Sequence, residues 1–198
     1  MSPQQRREQL IEAALGVILE QGYEGVSIEA IARAAGVTRP VVYDHFPNLG
    51  RLLQALIERE ERYALAQLED ILPEQPGQRD PAELVATSMR LFLEAVTSRP
   101  STWQIILSPP EGTPAVLRHH VETNRARTIG RIERLVGWAI ERRELPLDLD
   151  LDLELTARAL VSLAEDAGRM VLTKHDRYSP VRYERFVRTV LSLLRAPR

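Results

Sequence analysis

The sequence predicts an all-α protein of about nine helices, with a small N-terminal unit followed by a larger C-terminal helical domain. Three observations lead to this fold class. Ala, Leu, Glu and Arg dominate the 198 residues, and this composition favours helices over strands. Apolar residues recur at helical spacing along most of the chain. A capping residue followed by proline, a common helix start, occurs four times, at Ser2, Asp80, Thr113 and Ser179.

Residues 27–46 predict two short helices joined by a tight turn. Ser27 can cap the first of them, and Gly36 can end it in a left-handed conformation. Thr38 can cap the second. Because helices this short need a third element to pack on, we expect the apolar face of a helix over residues 3–21 to supply it.

Two short helices in this arrangement form a helix-turn-helix, whose second helix reads base edges in the DNA major groove. The uncovered flank of the second helix carries hydrogen-bonding side chains and one cation, contributed by Arg39, Tyr43, Asp44 and His45. Short helix pairs around a glycine turn also occur in helical proteins that bind no nucleic acid. The geometry alone therefore leaves a purely structural role open, and the residue types favour DNA binding.

The residues of this segment agree in type and spacing with a known family. The agreement runs through Gly25, Val26, Ser27, Ile31 and Ala32, then Gly36, Val37 and Thr38, then Val42, Tyr43, His45, Phe46, Pro47 and Asn48. This pattern resembles the N-terminal DNA-binding segment of the tetracycline-repressor (TetR) family over about residues 6 to 55. The resemblance implies a dimeric transcriptional regulator, and we expect a repressor that leaves a palindromic operator on double-stranded DNA when a small molecule binds.

On this basis the N-terminal three-helix unit is a helix-turn-helix DNA-binding domain, with Arg39 as the base-reading donor. Relatives often carry a lysine where Leu49 stands, so Arg51 is the nearest available cation, and Glu29 stands where relatives often carry a basic residue. The residues expected to contact DNA are Ser27, Thr38, Arg39, Pro40, Tyr43, His45 and Arg51.

The charge of the N-terminal unit is unusual for a nucleic-acid-binding protein. Residues 1–50 contain four arginines against six acidic residues, a net charge of −2. Non-specific attraction to phosphate should accordingly be weak. We expect DNA binding to depend on Arg39, on helix N-termini and on the spacing of the two recognition helices in a dimer.

The expected domain organisation places the DNA-binding domain at residues 1–50 and a connecting helix at 51–72. The loop over 73–80 contains two prolines and a glycine, which marks a boundary. Residues 73–198 then form a ligand-binding and dimerisation domain. Further helices are expected over residues 80–98, 100–107, 114–143, 152–174 and 180–195.

The longest of these helices carries two hydrogen-bonding side chains, Asn124 and Thr128, within an otherwise apolar stripe. Such groups either pair internally or face a cavity, because buried polar groups seldom lack partners. An apolar cavity with a few polar groups is typical of a small-molecule site. Ordinary core packing is the alternative for its apolar members. The residues expected to line a site for an unknown small-molecule effector are Met89, Phe92, Trp103, Ile106, Leu107, Asn124 and Thr128.

Residues 147–155 alternate between leucine and acid, a strand-like pattern. No second strand is predicted to pair with them, so we expect Asp150 and Asp152 to begin the next helix. The last two helices resemble half of a four-helix bundle, and the TetR resemblance implies that they form a homodimer interface. The expected interface residues are Ala157, Val161, Ala164, Gly168, Phe186, Val190 and Leu194.

The sequence gives no sign of an enzyme, a cofactor or a metal site. It has no cysteine, no glycine-rich phosphate loop and no glycine-flanked serine, and its four histidines lack metal-ligand spacing. No stretch reaches the roughly 18 apolar residues of a membrane span, so a cytoplasmic protein with no membrane partner is expected. Two alternatives remain open: a helical ligand- or partner-binding protein with weak or lost DNA binding, and a helical enzyme that uses the C-terminal cavity.

Overall fold

The chain folds into nine α-helices and no strand within residues 1–109, 113, 115–142 and 152–195, the part described by this computed structural model. This confirms the all-α class. A 3₁₀ turn at Tyr23–Gly25, which the sequence did not predict, joins the first two helices. The helices are α1 (Pro3–Gln21), α2 (Ile28–Ala34), α3 (Arg39–His45), α4 (Leu49–Ile71), α5 (Pro81–Ser98), α6 (Pro100–Leu107), α7 (Ala115–Glu141), α8 (Leu153–Thr173) and α9 (Pro180–Arg195).

The helix boundaries follow the local chemistry of the sequence. The Ser27 hydroxyl accepts a hydrogen bond from the Ala30 amide at 3.0 Å, which confirms it as the cap of α2. Gly36 adopts the left-handed conformation, with φ of 65°. Thr38 occupies the cap position of α3, but its side chain accepts no backbone hydrogen bond. Pro40 has no amide proton to offer, and the Val41 amide bonds to the Thr38 carbonyl instead, at 3.1 Å.

The described end of the segment with strand-like alternation, residues 152–155, forms the start of a helix. Asp152 caps α8, and its carboxylate accepts a hydrogen bond from the Leu155 amide at 3.0 Å. This confirms the expected role of Asp152. Asp150, which was expected to share that role, lies outside the described residues.

Two large hydrophobic clusters organise the packing, beside a small one of Ile129, Ala157 and Val161 between α7 and α8. The first is formed by α1, α2, α3 and the start of α4, and the second by the end of α4 with α5, α6 and α8. Helix α4 contributes Leu52 to the first cluster and Ile71 to the second, while α6 contributes Ile105 to the first and Trp103 to the second. Both helices therefore connect the N-terminal unit to the rest of the molecule.

The C-terminal helices pack mainly in two pairs, α7 on α8 and α5 on α9, with α8 also lying against α5 and α6. Gly168 permits the close approach of α8, since a Cβ atom there would lie 2.6 Å from Leu107 Cδ1. Among the helices that the structure describes, none combines the length and the apolar character needed to cross a membrane.

Candidate functional site

Helix α3 presents a polar outer face on a tightly packed base. Val42 is fully buried and Phe46 is 2% exposed, so these two side chains hold α3 on the first hydrophobic cluster. Arg39 is exposed, and Tyr43 is 47% exposed. Within the described ranges the Arg39 guanidinium has no hydrogen bond or ion pair. The face is therefore free to donate hydrogen bonds to another molecule.

The remaining predicted DNA-contacting residues lie around this face. Thr38 and Pro40 are exposed at the start of α3, and His45 is half-buried at its end. The Ser27 hydroxyl is exposed but engaged as a cap. Arg51 is exposed in the first turn of α4, where its side chain donates a hydrogen bond to Gln54 Oε1 at 3.0 Å.

The acidic residues of the N-terminal unit are not all on this face. Arg59 of α4 lies 2.8 Å from Glu12 and 3.6 Å from Glu8, both on α1. This pairing offsets two of the six carboxylates that make residues 1–50 net negative. The face around Arg39 is therefore less acidic than the composition of the segment indicates.

Two further arginines, Arg33 and Arg7, lie near α3. Arg33 is exposed at the end of α2. The Arg7 guanidinium stacks 4.8 Å from the centre of the Phe46 ring, which places a cation beside the end of α3. Both add positive charge next to the Arg39 face.

A large cavity lies between α4, α5, α6, α7 and α8, with a volume of about 540 Å³. Phe92 and Trp103 form one wall, with their rings edge to face and their centroids 5.1 Å apart. The lining is mostly apolar, as in small-molecule sites of this size. All seven residues expected to line an effector site do line it, namely Met89, Phe92, Trp103, Ile106, Leu107, Asn124 and Thr128. Their contact with a ligand stays a prediction.

Most polar groups in the cavity wall are already paired within the chain. Arg125 makes two hydrogen bonds to the Glu165 carboxylate, at 2.6 and 3.1 Å. The Thr128 hydroxyl donates to the Asn124 carbonyl at 3.1 Å, and the Asn124 side-chain oxygen accepts from Arg127 at 3.1 Å. The Thr128 hydroxyl and the Asn124 side-chain oxygen, which interrupt the apolar stripe of α7, are thus hydrogen-bonded without a ligand.

Glu61 is the exception among the wall residues. Its Oε1 atom is buried and accepts no hydrogen bond from any described residue. Its Oε2 atom lies 3.7 Å from His120 Nδ1. Burial raises the pKa of the Glu61 carboxyl above its ordinary value, against the opposing influence of His120.

Helix α6 faces the cavity on one side and α4 on the other. Trp103, Ile106 and Leu107 line the cavity, while the Thr102 hydroxyl donates a hydrogen bond to Glu60 Oε2. Glu60 Oε1 in turn accepts from Arg59 at 2.7 Å. A continuous polar path therefore leads from α6 through α4 to the carboxylates of α1. The sequence signal for this path was the pair of adjacent charges at 59 and 60 on the buried side of α4.

The expected dimer residues divide into two groups. Ala157, Val161 and Gly168 are buried inside the subunit, where α8 packs on α5, α6 and α7. Ala164 packs on the second hydrophobic cluster and lines the cavity. The three buried residues therefore serve packing within one chain, and Ala164 contributes to the same packing while remaining partly exposed.

The outer surfaces of α8 and α9 expose large apolar side chains instead. Phe186 is 62% exposed, Val190 is 38% exposed, and Leu163 is 65% exposed. The Leu194 side chain, also expected at the interface, lies outside the described residues. Further apolar side chains exposed on these two helices are Leu155, Val181 and Leu193.

Over the described ranges, no group of three or more His, Cys, Asp or Glu side chains is arranged to hold a metal ion.

The N-terminal unit is the part of the chain with the strongest likeness to known proteins. The family model described as bacterial regulatory proteins, tetR family, matches residues 10–56.

Two curated relatives extend this likeness to different degrees. The nucleoid occlusion factor SlmA of Haemophilus ducreyi is 37% identical over 62 residues, which are 31% of this chain and 31% of that protein. The chain thus matches about a third of the length of this relative. The HTH-type transcriptional regulator AcrR of Shigella flexneri is 29% identical over 151 residues, covering 73% of this chain and 69% of its own length.

The complete fold also has solved counterparts. One is the transcriptional regulator FadR from Bacillus subtilis, solved in complex with stearoyl-CoA, with a TM-score of 0.69. It is 19% identical and aligns over 93% of this chain and 96% of its own. At this identity the likeness concerns the fold, which therefore extends beyond the N-terminal unit to the helices that enclose the cavity.

Proposed function

The chain belongs to the TetR family of bacterial regulatory proteins, and from that premise we propose that it is a DNA-binding transcriptional regulator that acts as a homodimer. We further propose that it is a repressor released from a palindromic operator by a small-molecule effector. The observation that carries the proposal is the exposed, unpaired Arg39 on a recognition helix that Val42 and Phe46 fix to a closed core.

DNA contact is assigned to the face of α3 and its surroundings. Arg39 is the base-reading donor, since a guanidinium matches the two acceptors of guanine in the major groove. Tyr43 and Thr38 are exposed beside it and supply hydroxyl groups for phosphate or base edges. Arg51 and the first turn of α4 bind the backbone. Arg33 and Arg7 strengthen phosphate attraction where Glu29 weakens it.

Dimerisation is assigned to the outer surfaces of α8 and α9. Monomeric proteins seldom expose large contiguous apolar patches, and each of these helices carries a large apolar side chain that is more than half exposed, Leu163 on α8 and Phe186 on α9. A two-fold axis through such a surface presents two α3 helices to the same side of the DNA. Their separation then decides whether both half-sites of a palindrome can be contacted together.

Effector response is assigned to the cavity and transmitted by α6. A ligand that pushes on Trp103 or Ile106 displaces α6, and Thr102 carries that displacement to Glu60 of α4. Because α4 begins directly after the recognition helix, its movement alters the position of α3. A shift of a few ångströms in the spacing of two α3 helices is enough to lose one half-site. A neighbour of this fold, FadR, holds stearoyl-CoA, which supports the use of the cavity for an apolar ligand.

Selection from random duplex DNA with the full-length protein tests the proposal. We expect enrichment of a palindrome whose half-sites lie about one helical turn apart, roughly 34 Å. Gel-shift titrations of the selected duplex, repeated with candidate effectors, then test release. Failure to enrich any palindrome would favour the alternative of a ligand-binding protein without useful DNA affinity. If a palindrome is enriched but no candidate effector releases the protein from it, the assignment as a DNA-binding regulator stands and the proposed ligand response fails.

A further inference from the structure

A second pocket adjoins the apolar cavity. It has a volume of about 330 Å³ and lies between the loop at residues 73–77 and helix α7. Leu135 and Trp138 line both this pocket and the large cavity. The two pockets therefore meet at these two side chains.

The second pocket is basic. Arg131 and Arg134 of α7 lie in its wall, and the exposed Glu74 is the acidic residue of the lining. Neither arginine forms an ion pair with Glu74 or with any other residue that the structure describes. Two guanidinium groups against one carboxylate leave the pocket with a net positive charge.

The hydrogen-bonding capacity of these arginines is incompletely used. Arg131 donates to the Glu69 carbonyl at 3.4 Å, but its Nε atom is buried and has no acceptor among the described residues. Arg134 is exposed and makes no hydrogen bond within the described ranges. Buried donors are normally paired, and the buried Nε atom of Arg131, a residue in the wall of this pocket, has no acceptor among the described residues.

A third arginine holds the pocket in shape. Arg142 donates to the Gly77 carbonyl at 3.2 Å and to Gln78 Oε1 at 3.1 Å. Its guanidinium also lies 5.4 Å from the centre of the Trp138 ring. The loop after α4 is thereby fixed against α7, which leaves Arg131 and Arg134 as the groups that face the pocket.

We propose that the effector is an amphiphilic anion. Its apolar chain occupies the large cavity, and its carboxylate or phosphate group accepts hydrogen bonds from Arg131 and Arg134 in the second pocket. Guanidinium groups bind both kinds of anion through short, charge-assisted hydrogen bonds. The inference rests on the proposed function, because it names the chemical class of the effector of that regulator.

A set of ligands with one chain and different head groups tests this assignment. Dodecanoate, dodecanoyl-CoA, 1-dodecanol and dodecyltrimethylammonium are titrated into the full-length protein below their micelle concentrations. Binding is followed by calorimetry and by tryptophan fluorescence, since Trp103 and Trp138 both line the cavity. We expect at least one of the two anions to bind roughly tenfold more tightly than the alcohol. Comparison of dodecanoate with its CoA thioester separates a carboxylate site from a phosphate site.

Arginine variants locate the head group. Arg134→Gln should weaken binding of the preferred anion roughly tenfold and leave dodecanol binding unchanged. Arg131→Gln should do the same, provided that its melting curve matches the wild type. Arg62→Gln is the matched control, because Arg62 is exposed on α4, lines neither pocket and removes the same charge.

The outcomes separate the two proposals. Equal binding of dodecanol and the anions, tighter binding of the cation, or anion binding that ignores both variants would overturn the anionic site and leave the regulator untouched. If none of the four ligands binds and the selected operator is also insensitive to them, the site assignment is overturned. If no operator is selected at all, the proposed function itself fails.

Discussion

Thr102 of α6 and Glu60 of α4 are joined by a hydrogen bond of 2.5 Å between Oγ1 and Oε2, and each side chain is only 2% exposed. Glu60 also accepts from Arg59, and Arg59 reaches Glu12 on α1 at 2.8 Å. Four side chains thus connect the wall of the cavity to the DNA-binding unit. The buried members, Thr102, Glu60 and Arg59, are costly to leave without their partners, so we expect them to move together.

Thr102→Val removes the donor at the first step of this path. The variant keeps the shape of the side chain and leaves one oxygen of a buried carboxylate without its partner, which should lower the free energy of unfolding by about 1–2 kcal/mol. Effector-free affinity for the selected operator should stay close to the wild-type value. The ratio of operator Kd values with and without dodecanoate should move towards one, and gel-shift titrations measure it.

Thr97→Val is the control for this change. Thr97 is exposed on α5, and its hydroxyl bonds to the Glu94 carbonyl in its own helix. It should alter neither stability nor effector response. A Thr102→Val protein that is destabilised but fully responsive to effector would show that the path supports folding only.

Arg39→Ala tests the base-reading assignment. Loss of a two-point hydrogen bond to a base should cost about 1–3 kcal/mol of operator binding and relax the preference at one position in each half-site. Competition between the selected operator and its single-base variants measures both effects. Arg62→Ala is the matched control, since Arg62 is exposed on α4 outside the α3 face. Unchanged affinity with unchanged selectivity in Arg39→Ala would contradict the role.

Local chemistry predicted the helix boundaries well because a cap depends on a few neighbouring residues. Ser27 accepts the expected amide hydrogen bond, and Asn48 caps α4 in the same way by accepting from the Arg51 amide at 2.9 Å. The prediction that the Thr38 side chain caps α3 was wrong, and the reason is equally local. Pro40 has no amide proton, so one of the backbone donors that a capping hydroxyl could bind is missing. The segment after residue 147 needed a non-local argument, the lack of a pairing strand, and its described part does begin a helix at Asp152.

The candidate sites were predictable to different extents. Spacing placed Asn124 and Thr128 on one side of α7, and they line the cavity together. The small residues of α8 show a smooth face, but the spacing of Ala157 and Gly168 carries no information on whether that face meets the same chain or a partner. The link from Thr102 to Glu60 spans 42 residues, and only the tertiary packing brings those side chains together.

Phe186→Arg and Leu163→Arg test the exposed apolar surfaces of α9 and α8. Burying an unpaired guanidinium in an apolar contact is costly, so each variant should shift the protein from dimer to monomer while its helix content is retained. Sedimentation analysis at several protein concentrations measures the shift. Loss of dimer should also weaken binding to a two-half-site operator far more than binding to a single half-site.

Ala66→Arg is the control for the dimer test, because Ala66 is exposed on α4, away from α8 and α9. It should leave the association state unchanged. If both Phe186→Arg and Leu163→Arg sediment as the wild-type protein does, the dimer contact lies elsewhere on the surface.

The raised pKa of Glu61 should make the free energy of unfolding decrease as the pH rises. Burial raises its pKa in the folded protein, and Glu58 acts in the same direction, while His120, Asn124 and Arg127 oppose the shift. A carboxyl group with a raised folded pKa binds its proton more tightly in the folded state than in the unfolded state. Its contribution to stability is therefore present at low pH and is lost as the pH rises through the folded pKa.

Glu61→Gln replaces the carboxyl group with a neutral group of the same shape. The loss of stability that Glu61 causes at higher pH should therefore be absent from this variant. As the pH rises above the ordinary glutamate pKa of about 4.3, the free energy of unfolding of the wild type should fall relative to that of Glu61→Gln. Urea unfolding at each pH measures the difference. Glu69→Gln, an exposed position on the same helix, should run parallel to the wild type. A difference that grows in the opposite direction would mean that the Glu61 carboxylate is stabilised in the folded state, with His120 outweighing the effect of burial.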